Sequence, residues 1–310
     1  MSEDLLIILG PTASGKTKLA VTLAHELNGE IISADSRQVF KDMDIGTGKD
    51  LNEYRINGKN IPYHLINIQN AGTKYHVNAF KEDFYAAFND ISQRKKLPIL
   101  CGGTGMYIHS ILQNHELTTI PVNQNLRNEI QDFTKEQLQD RLNSYSETLR
   151  LHADYSSAKR LIRAIEIADY LTHNELVEIA RPTINPVIIG LQSEVETRRE
   201  RIIDRLNKRL NFGLIEEVEA LLKSGISKEM LIFYGLEYKF IASYLADEID
   251  FITLKERLGI AICQFAKRQM TFFRKMEKDG VKIKWLNADE NLVQLKKSAI
   301  GYIEQKIDLK

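Results

Sequence analysis

Gly10, Gly15, Lys16 and Thr17 stand in the spacing G-x4-G-K-T within GPTASGKT, residues 10–17. Glycines at those places let the backbone curl with successive N–H groups facing inward, a cradle for phosphate oxygens. Pro11, Thr12, Ala13 and Ser14 complete the loop, Lys16 adds a mobile cation, and Thr17 offers a hydroxyl suited to Mg²⁺. In ISADSRQVF, Asp35 closes a β-branched run and is a candidate general base, with a turn or helix-cap aspartate as the plainer alternative. Thr47 and Lys49 of MDIGTGK fall near the same edge. A nucleotide hydrolase would also place a magnesium-holding carboxylate after an apolar strand, yet LPILCGGTG ends in Cys101, Gly102, Gly103 and Thr104. Such a turn offers backbone N–H groups and one hydroxyl, which suits binding better than hydrolysis.

For these groups to meet, strands must end side by side. LLIIL (5–9), EIISA (30–34) and LPILC (97–101) are short apolar runs that end in polar or Gly-rich turns, with helical spacing between the first two and before the third. That alternation predicts a parallel sheet with helices on both faces and a ligand at its C-terminal edge. PVIIGLQ (186–192) predicts a further strand and VKIKWLN an edge strand. Before PVIIGLQ, the segments LRNEIQDF, KEQLQDRL and SAKRLIRAIEIADYL have helical periodicity. The expected architecture is α/β: a P-loop NTPase-like parallel sheet flanked by helices, built from residues 1–118 and 183–310, with a mainly helical insertion domain at 119–182.

The 310 residues include 42 Lys plus Arg and 42 Asp plus Glu, so the net charge is zero and any nucleic-acid surface must be local. Hydrophobic content of 43%, with 6 Pro and 17 Gly, excludes collagen-like and low-complexity classes. Cys101 and Cys263 lack CxxC spacing, so neither a zinc site nor a disulfide framework is expected. The start MSEDLLIILGP has no basic n-region, and no apolar run reaches the roughly 18 residues of a membrane span, so a cytoplasmic protein is expected, with a monomer as the default.

Taken together, GPTASGKT, ISADSRQVF, MDIGTGK, LPILCGGTGMYI, KRLIRAIEI, GLIEEV and AKRQMTFFR resemble, in order and over nearly the whole length, the tRNA dimethylallyltransferases, also called tRNA isopentenyltransferases. The resemblance implies that the loop holds dimethylallyl diphosphate and that the prenyl group passes to N6 of the adenosine 3′-adjacent to the tRNA anticodon, releasing diphosphate without consuming ATP. It makes Asp35 the base. Lys16, Thr17, a Mg²⁺ ion and Arg205 from RRERIIDRLNKR, with Arg209 as the alternative, would stabilise the leaving group. Ser36, Arg37, Gln38 and Thr104 match the base-reading positions beside Asp35. Arg127, the run Lys159, Arg160, Leu161, Ile162 and Arg163, and Lys267, Arg268 and Gln269 match positions that contact the anticodon stem-loop.

Departures from the family pattern are Gly48, Lys49 and Asp50 in place of Ala-Lys-Pro, Ile262 and Cys263 in place of Thr-Arg, a Phe for Trp in TFFR, and Tyr155, Ser156 and Ser157 where Asn-Asp-Pro is usual. They bear on RNA recognition more than on the reaction. The competing readings are a prenyltransferase acting on free AMP, ADP or ATP, a small-molecule or nucleotide kinase, and a non-catalytic tRNA-binding paralogue.

Overall fold

A computed structural model of the chain describes residues 3–113, 116–176 and 179–307. Its strands are β1 (Glu3–Leu9), β2 (Gly29–Ser33), β3 (Arg55–Ile56), β4 (Lys59–Asn60), β5 (Tyr63–His64), β6 (Leu97–Gly102), β7 (Ile184–Gln192) and β8 (Lys284–Asn287). The helices are α1 (Lys16–Glu26), α2 (Val77–Gln93), α3 (Gly105–Leu112), α4 (Gln124–Ile130), α5 (Lys135–Asn143), α6 (Glu147–Arg150), α7 (Ala158–His173), α8 (Val195–Asn211), α9 (Leu214–Lys223), α10 (Lys228–Tyr234), α11 (Leu236–Leu245), α12 (Phe251–Lys278) and α13 (Leu292–Ile303). These elements form two compact units, Met1–Gln113 with Pro182–Lys310, and Asn114–Arg181.

In the larger unit six strands form one sheet in the order β5-β2-β6-β1-β7-β8, every neighbouring pair parallel. VKIKWLN supplies β8 at one edge, as its pattern predicts; the two-residue β5 at the other edge and the β3–β4 hairpin gave no pattern to read. Period-two alternation splits the residues of β1 between two cores. Leu5, Ile7 and Leu9 face a core with α2, α3 and α8–α12, while Leu6 and Ile8 face one with α1 and α13. Leu9 pairs with Gly102 and Gly190, and Ser33 with Cys101, so the turns after β1, β2 and β6 emerge together. That is the crevice in which open parallel sheets bind ligands.

The 28-residue α12 starts where the Asp250 side chain accepts a hydrogen bond from Thr253 N at 2.7 Å. Its buried stripe, Leu254, Leu258, Ile262, Ala266, Met270 and Phe273, repeats every three to four residues and holds the helix to the sheet's core. In the smaller unit Leu126, Ile130, Leu138, Leu142, Leu161 and Ile165 build a separate core. Asn123, Thr134 and Ser157 cap its helices, Thr134 through a reciprocal capping box with Gln137. Among the described residues no helix is long and apolar enough to cross a membrane.

Candidate active site

The phosphate loop is fastened by two helices distant in sequence. Thr12 N donates to Gln269 Oε1 at 2.9 Å, and Gln269 Nε2 donates to Gly103 O at 2.9 Å, so α12 ties the turn after β1 to the turn after β6. From α8, Arg205 Nη2 donates to Thr12 Oγ1. Lys16 opens α1 and its Nζ donates back to Pro11 O at 2.9 Å. Ser14 Oγ is buried without a hydrogen-bond partner, and Thr17 stands in the first turn of α1, whose N-terminal dipole favours an anion.

Asp35 follows β2 after one residue, Ala34. Its Oδ1 accepts a hydrogen bond from Arg37 N at 2.9 Å, so the turn role, the plainer alternative, is realised. The same bond fixes the carboxylate, and Oδ2 has no hydrogen bond among the described residues. Thr104 Oγ1 accepts from Ser36 N at 3.1 Å, joining the β2 and β6 turns. Gln38 Nε2 donates to Gly48 O at 3.1 Å, and Gln38 Oε1 accepts from Ser33 Oγ at 3.0 Å.

These groups line one cavity of ≈ 420 Å³ that holds Lys16, Thr17, Asp35, Gln38, Thr104 and Arg205 in its wall. Its wall carries both signs of charge, Lys16, Arg37, Arg205 and Arg209 beside Asp35, Asp50, Glu53 and Glu237. Burial pulls the pKa of Lys16 below its ordinary value, and with Arg209 nearby it lowers Arg205 to about 10. Arg37 is lowered for the same reason, its guanidinium lying 5.2 Å from the Phe233 ring centroid. Among the described residues neither Lys16 nor Arg205 forms a salt bridge. Burial raises the thiol of Cys101 to about 12, which keeps it neutral. Glu53 and Glu237 also line the cavity with carboxyls pushed up by burial. Sequence reasoning missed both; the cue for Glu237 was its place just after the Gly235 break in YGLEYK.

Two departures from the family pattern act together. Arg209 pairs with Asp50 at 3.2 Å, and a Cβ at Gly48 would meet Arg209 Nη2 at 2.1 Å, so glycine makes room for that arginine. Lys49 is fully buried, donating to Phe40 O, Asp44 Oδ1 and Asn67 Oδ1 at 2.5–2.6 Å, and thus closes the loop from inside. Thr47 donates to Met43 O within the same loop. Ile262 is buried in the α12 stripe beside half-buried Cys263. In the smaller unit Ser157 caps α7 where the family's proline would stand.

Several positions matched to RNA contacts are used inside that smaller unit. Arg127 holds Glu166 bidentately at 2.7 and 2.8 Å, and Arg163 reaches the same carboxylate at 3.4 Å while donating to Leu117 O and Ile120 O. Glu166 is fully buried, so this network replaces its hydration. Leu161 sits in the core, with Ile162 packed against it. One cause accounts for these contacts: the helix turns Leu161 and Glu166 inward, and both arginines bond to that carboxylate. Lys159 and Arg160 remain exposed, as do Lys267 and Arg268 on α12.

The family model described as IPP transferase matches residues 38–276, and one described as isopentenyl transferase matches residues 3–63. The chain is 50% identical over 285 residues to a protein of Phocaeicola vulgatus named tRNA dimethylallyltransferase 2, covering 92% of each. It is 50% identical over 288 residues to tRNA dimethylallyltransferase 1 of Parabacteroides distasonis, covering 93% of each. The solved structure of a full-length tRNA isopentenylpyrophosphate transferase from Bacillus halodurans superposes with a TM-score of 0.70 at 30% identity, covering 98% of both chains. With the phosphate loop, the strand-end aspartate and the glycine turn gathered in one cavity, and with these likenesses along nearly its whole length, the chain belongs to the IPP transferase family, the tRNA dimethylallyltransferases.

Proposed function

We propose that this enzyme joins dimethylallyl diphosphate, seated on residues 10–17, to N6 of the adenosine 3′-adjacent to a tRNA anticodon. The observation that carries the reading is the pair of cations, Lys16 and Arg205, which among the described residues form no salt bridge although Asp35, Glu53 and Glu237 line the same cavity. A diphosphate supplies the missing anion, and low local dielectric makes each contact stronger than it would be in water.

In the transfer the N6 lone pair attacks the allylic carbon as its bond to the diphosphate oxygen breaks, and the surplus proton on N6 passes to Asp35 Oδ2. Arg37 N holds Asp35 Oδ1, which leaves the other oxygen as the acceptor. Lys16, Arg205 and the backbone N–H groups of the loop receive the charge that develops on the departing diphosphate. The wall of the cavity contains the Thr17 hydroxyl, and among the described residues no group of three or more His, Cys, Asp or Glu could hold a metal alone. That donor set fits Mg²⁺, which keeps most of its waters and binds substrate phosphates with few protein ligands. When bound through Thr17, the ion would offset charge on the diphosphate.

An adenosine must leave the stacked anticodon loop to reach Asp35. Exposed Lys159, Arg160, Lys267 and Arg268 are the side chains we assign to the RNA backbone, with Ser36, Arg37, Gln38 and Thr104 nearest the base. The test combines the protein with Mg²⁺, dimethylallyl diphosphate and unmodified tRNA, with AMP and ATP as parallel acceptors. Mass spectrometry of the digested RNA is expected to find prenylated adenosine on tRNA alone. Product on a free nucleotide only, or on no acceptor, would overturn the reading.

A further inference from the structure

The GLIEEV segment places a carboxylate that the reaction above does not use. Glu217 of α9 accepts three consecutive backbone N–H bonds, from Asp44 and Ile45 at 2.7 Å each and from Gly46 at 3.0 Å, and a fourth from Tyr238 Oη at 2.8 Å. Four donors converging on one carboxylate make a rigid clamp, since hydrogen bonds to a carboxylate are about twice as strong as those between neutral groups. Gly46 belongs to the clamp for a steric reason: a Cβ there would lie 2.6 Å from the Tyr238 phenol.

The clamped loop ends at the site. Gly48 N donates to Ile45 O at 3.2 Å, and Gly48 O receives Gln38 Nε2 at 3.1 Å. A carbonyl only accepts, so this contact decides which end of the Gln38 amide is nitrogen, and Ser33 Oγ donating to Oε1 at 3.0 Å agrees with that choice. A primary amide has two N–H donors and two acceptor lone pairs. With one of each used among the described residues, Gln38 in the cavity wall offers one donor beside one acceptor, in fixed order. That pair complements an adenine edge, where the exocyclic amine donates and a neighbouring ring nitrogen accepts. A guanine edge, with a carbonyl in place of the amine, mismatches it.

We propose that Glu217 is a specificity-determining positioning residue: by locking residues 44–48 it holds Gly48 O against Gln38 and so fixes the amide orientation that selects adenine. The inference rests on the proposed transfer to a tRNA adenosine. It is tested with anticodon stem-loop RNAs carrying adenosine, 7-deazaadenosine or 1-deazaadenosine at the target position. For the wild type, removal of the ring nitrogen that Gln38 reads is expected to raise the RNA KM about tenfold for one of the two analogues. Glu217→Gln, which exchanges an acceptor for donors, is expected to raise the KM for ordinary RNA about tenfold and leave the KM for dimethylallyl diphosphate unchanged. The deaza penalty is expected to shrink to about twofold, because a freed amide no longer discriminates. If Glu217→Gln does not fold, Tyr238→Phe removes one donor from the clamp and is expected to reduce the penalty partially. A full deaza penalty in the variant that folds, or a wild type indifferent to both analogues, would overturn the inference alone. A wild type that prenylates none of the three RNAs would overturn the functional reading beneath it.

Discussion

Among the described residues Lys16 and Arg205 at the cavity hydrogen-bond to neutral oxygens, Pro11 O and Thr12 Oγ1, and form no salt bridge, whereas Arg127 and Arg163 in the smaller unit share the buried carboxylate of Glu166. Both sets of cations sit in segments whose sequence suggests phosphate. Their partners separate them. A desolvated cation without an anion costs stability and is useful only if a ligand completes it, while a cation matched to a buried carboxylate holds its own fold together. The first set is the one we propose for the reaction, while the second braces the helices of the insertion.

The sharpest way to break this contrast is to remove one member from each side. Lys16→Ala is expected to lower turnover by about 10²- to 10³-fold while leaving the midpoint of thermal unfolding unchanged or raised, since a strained charge has gone. Asp35→Asn should lower turnover comparably with little change in the KM for dimethylallyl diphosphate, because a general base acts on the other substrate. Steady-state kinetics with calorimetry reads both. Arg127→Ala should do the opposite, destabilising the smaller unit by about 3 kcal/mol because Glu166 loses its bidentate partner. Hydrogen exchange in α4 and α7 would register that loss; if it registers none, the arginine is not structural.

Glu30 gives a control within the larger unit, far from the cavity's chemistry. Hydrogen bonds from Arg94, then Lys96 and His64, outweigh burial and hold its carboxyl well below the ordinary 4.5. A depressed carboxylate contributes stability that is complete above the unfolded value and is lost as pH falls from there toward the folded one. Glu30→Gln should cost about 2 kcal/mol at pH 7 and flatten the loss of stability on acidification below pH 4.5. Denaturant melts of both proteins from pH 7 to 3 check it, and parallel curves would contradict the assignment. The smallest expected effect is on the surface. Lys159→Ala and Lys267→Ala should each weaken tRNA binding less than tenfold and reduce the slope of log affinity against log salt by about 1, with folding unchanged.

What was legible in the chain was what is local. The phosphate loop needs only Gly10, Gly15, Lys16 and Thr17 in order, and Asp35 needs only to end a strand that the pattern reveals. The parallel core was legible for the same reason, since runs such as LLIIL bury both faces. Long-range partnerships were not. Gln269 is matched in sequence to RNA contact along with Lys267 and Arg268, yet it bridges Thr12 N and Gly103 O across 257 and 166 positions. Glu166 and Glu217 look like solvated helix glutamates until folding turns the first into a core and supplies the second with backbone donors. Arg127, Leu161 and Arg163 followed Glu166 and the core inward, which no charge pattern could indicate.

In the proposed reaction the loop holds a prenyl diphosphate, whose charge completes Lys16 and Arg205. Calorimetric titration of wild type and Lys16→Ala with dimethylallyl diphosphate, and separately with ATP, at one Mg²⁺ concentration tests it most directly. Binding of the prenyl diphosphate to wild type, a loss of at least about tenfold in Lys16→Ala and weaker binding of ATP are the predicted results. Tighter binding of ATP than of dimethylallyl diphosphate, or a prenyl diphosphate affinity indifferent to Lys16, would contradict it.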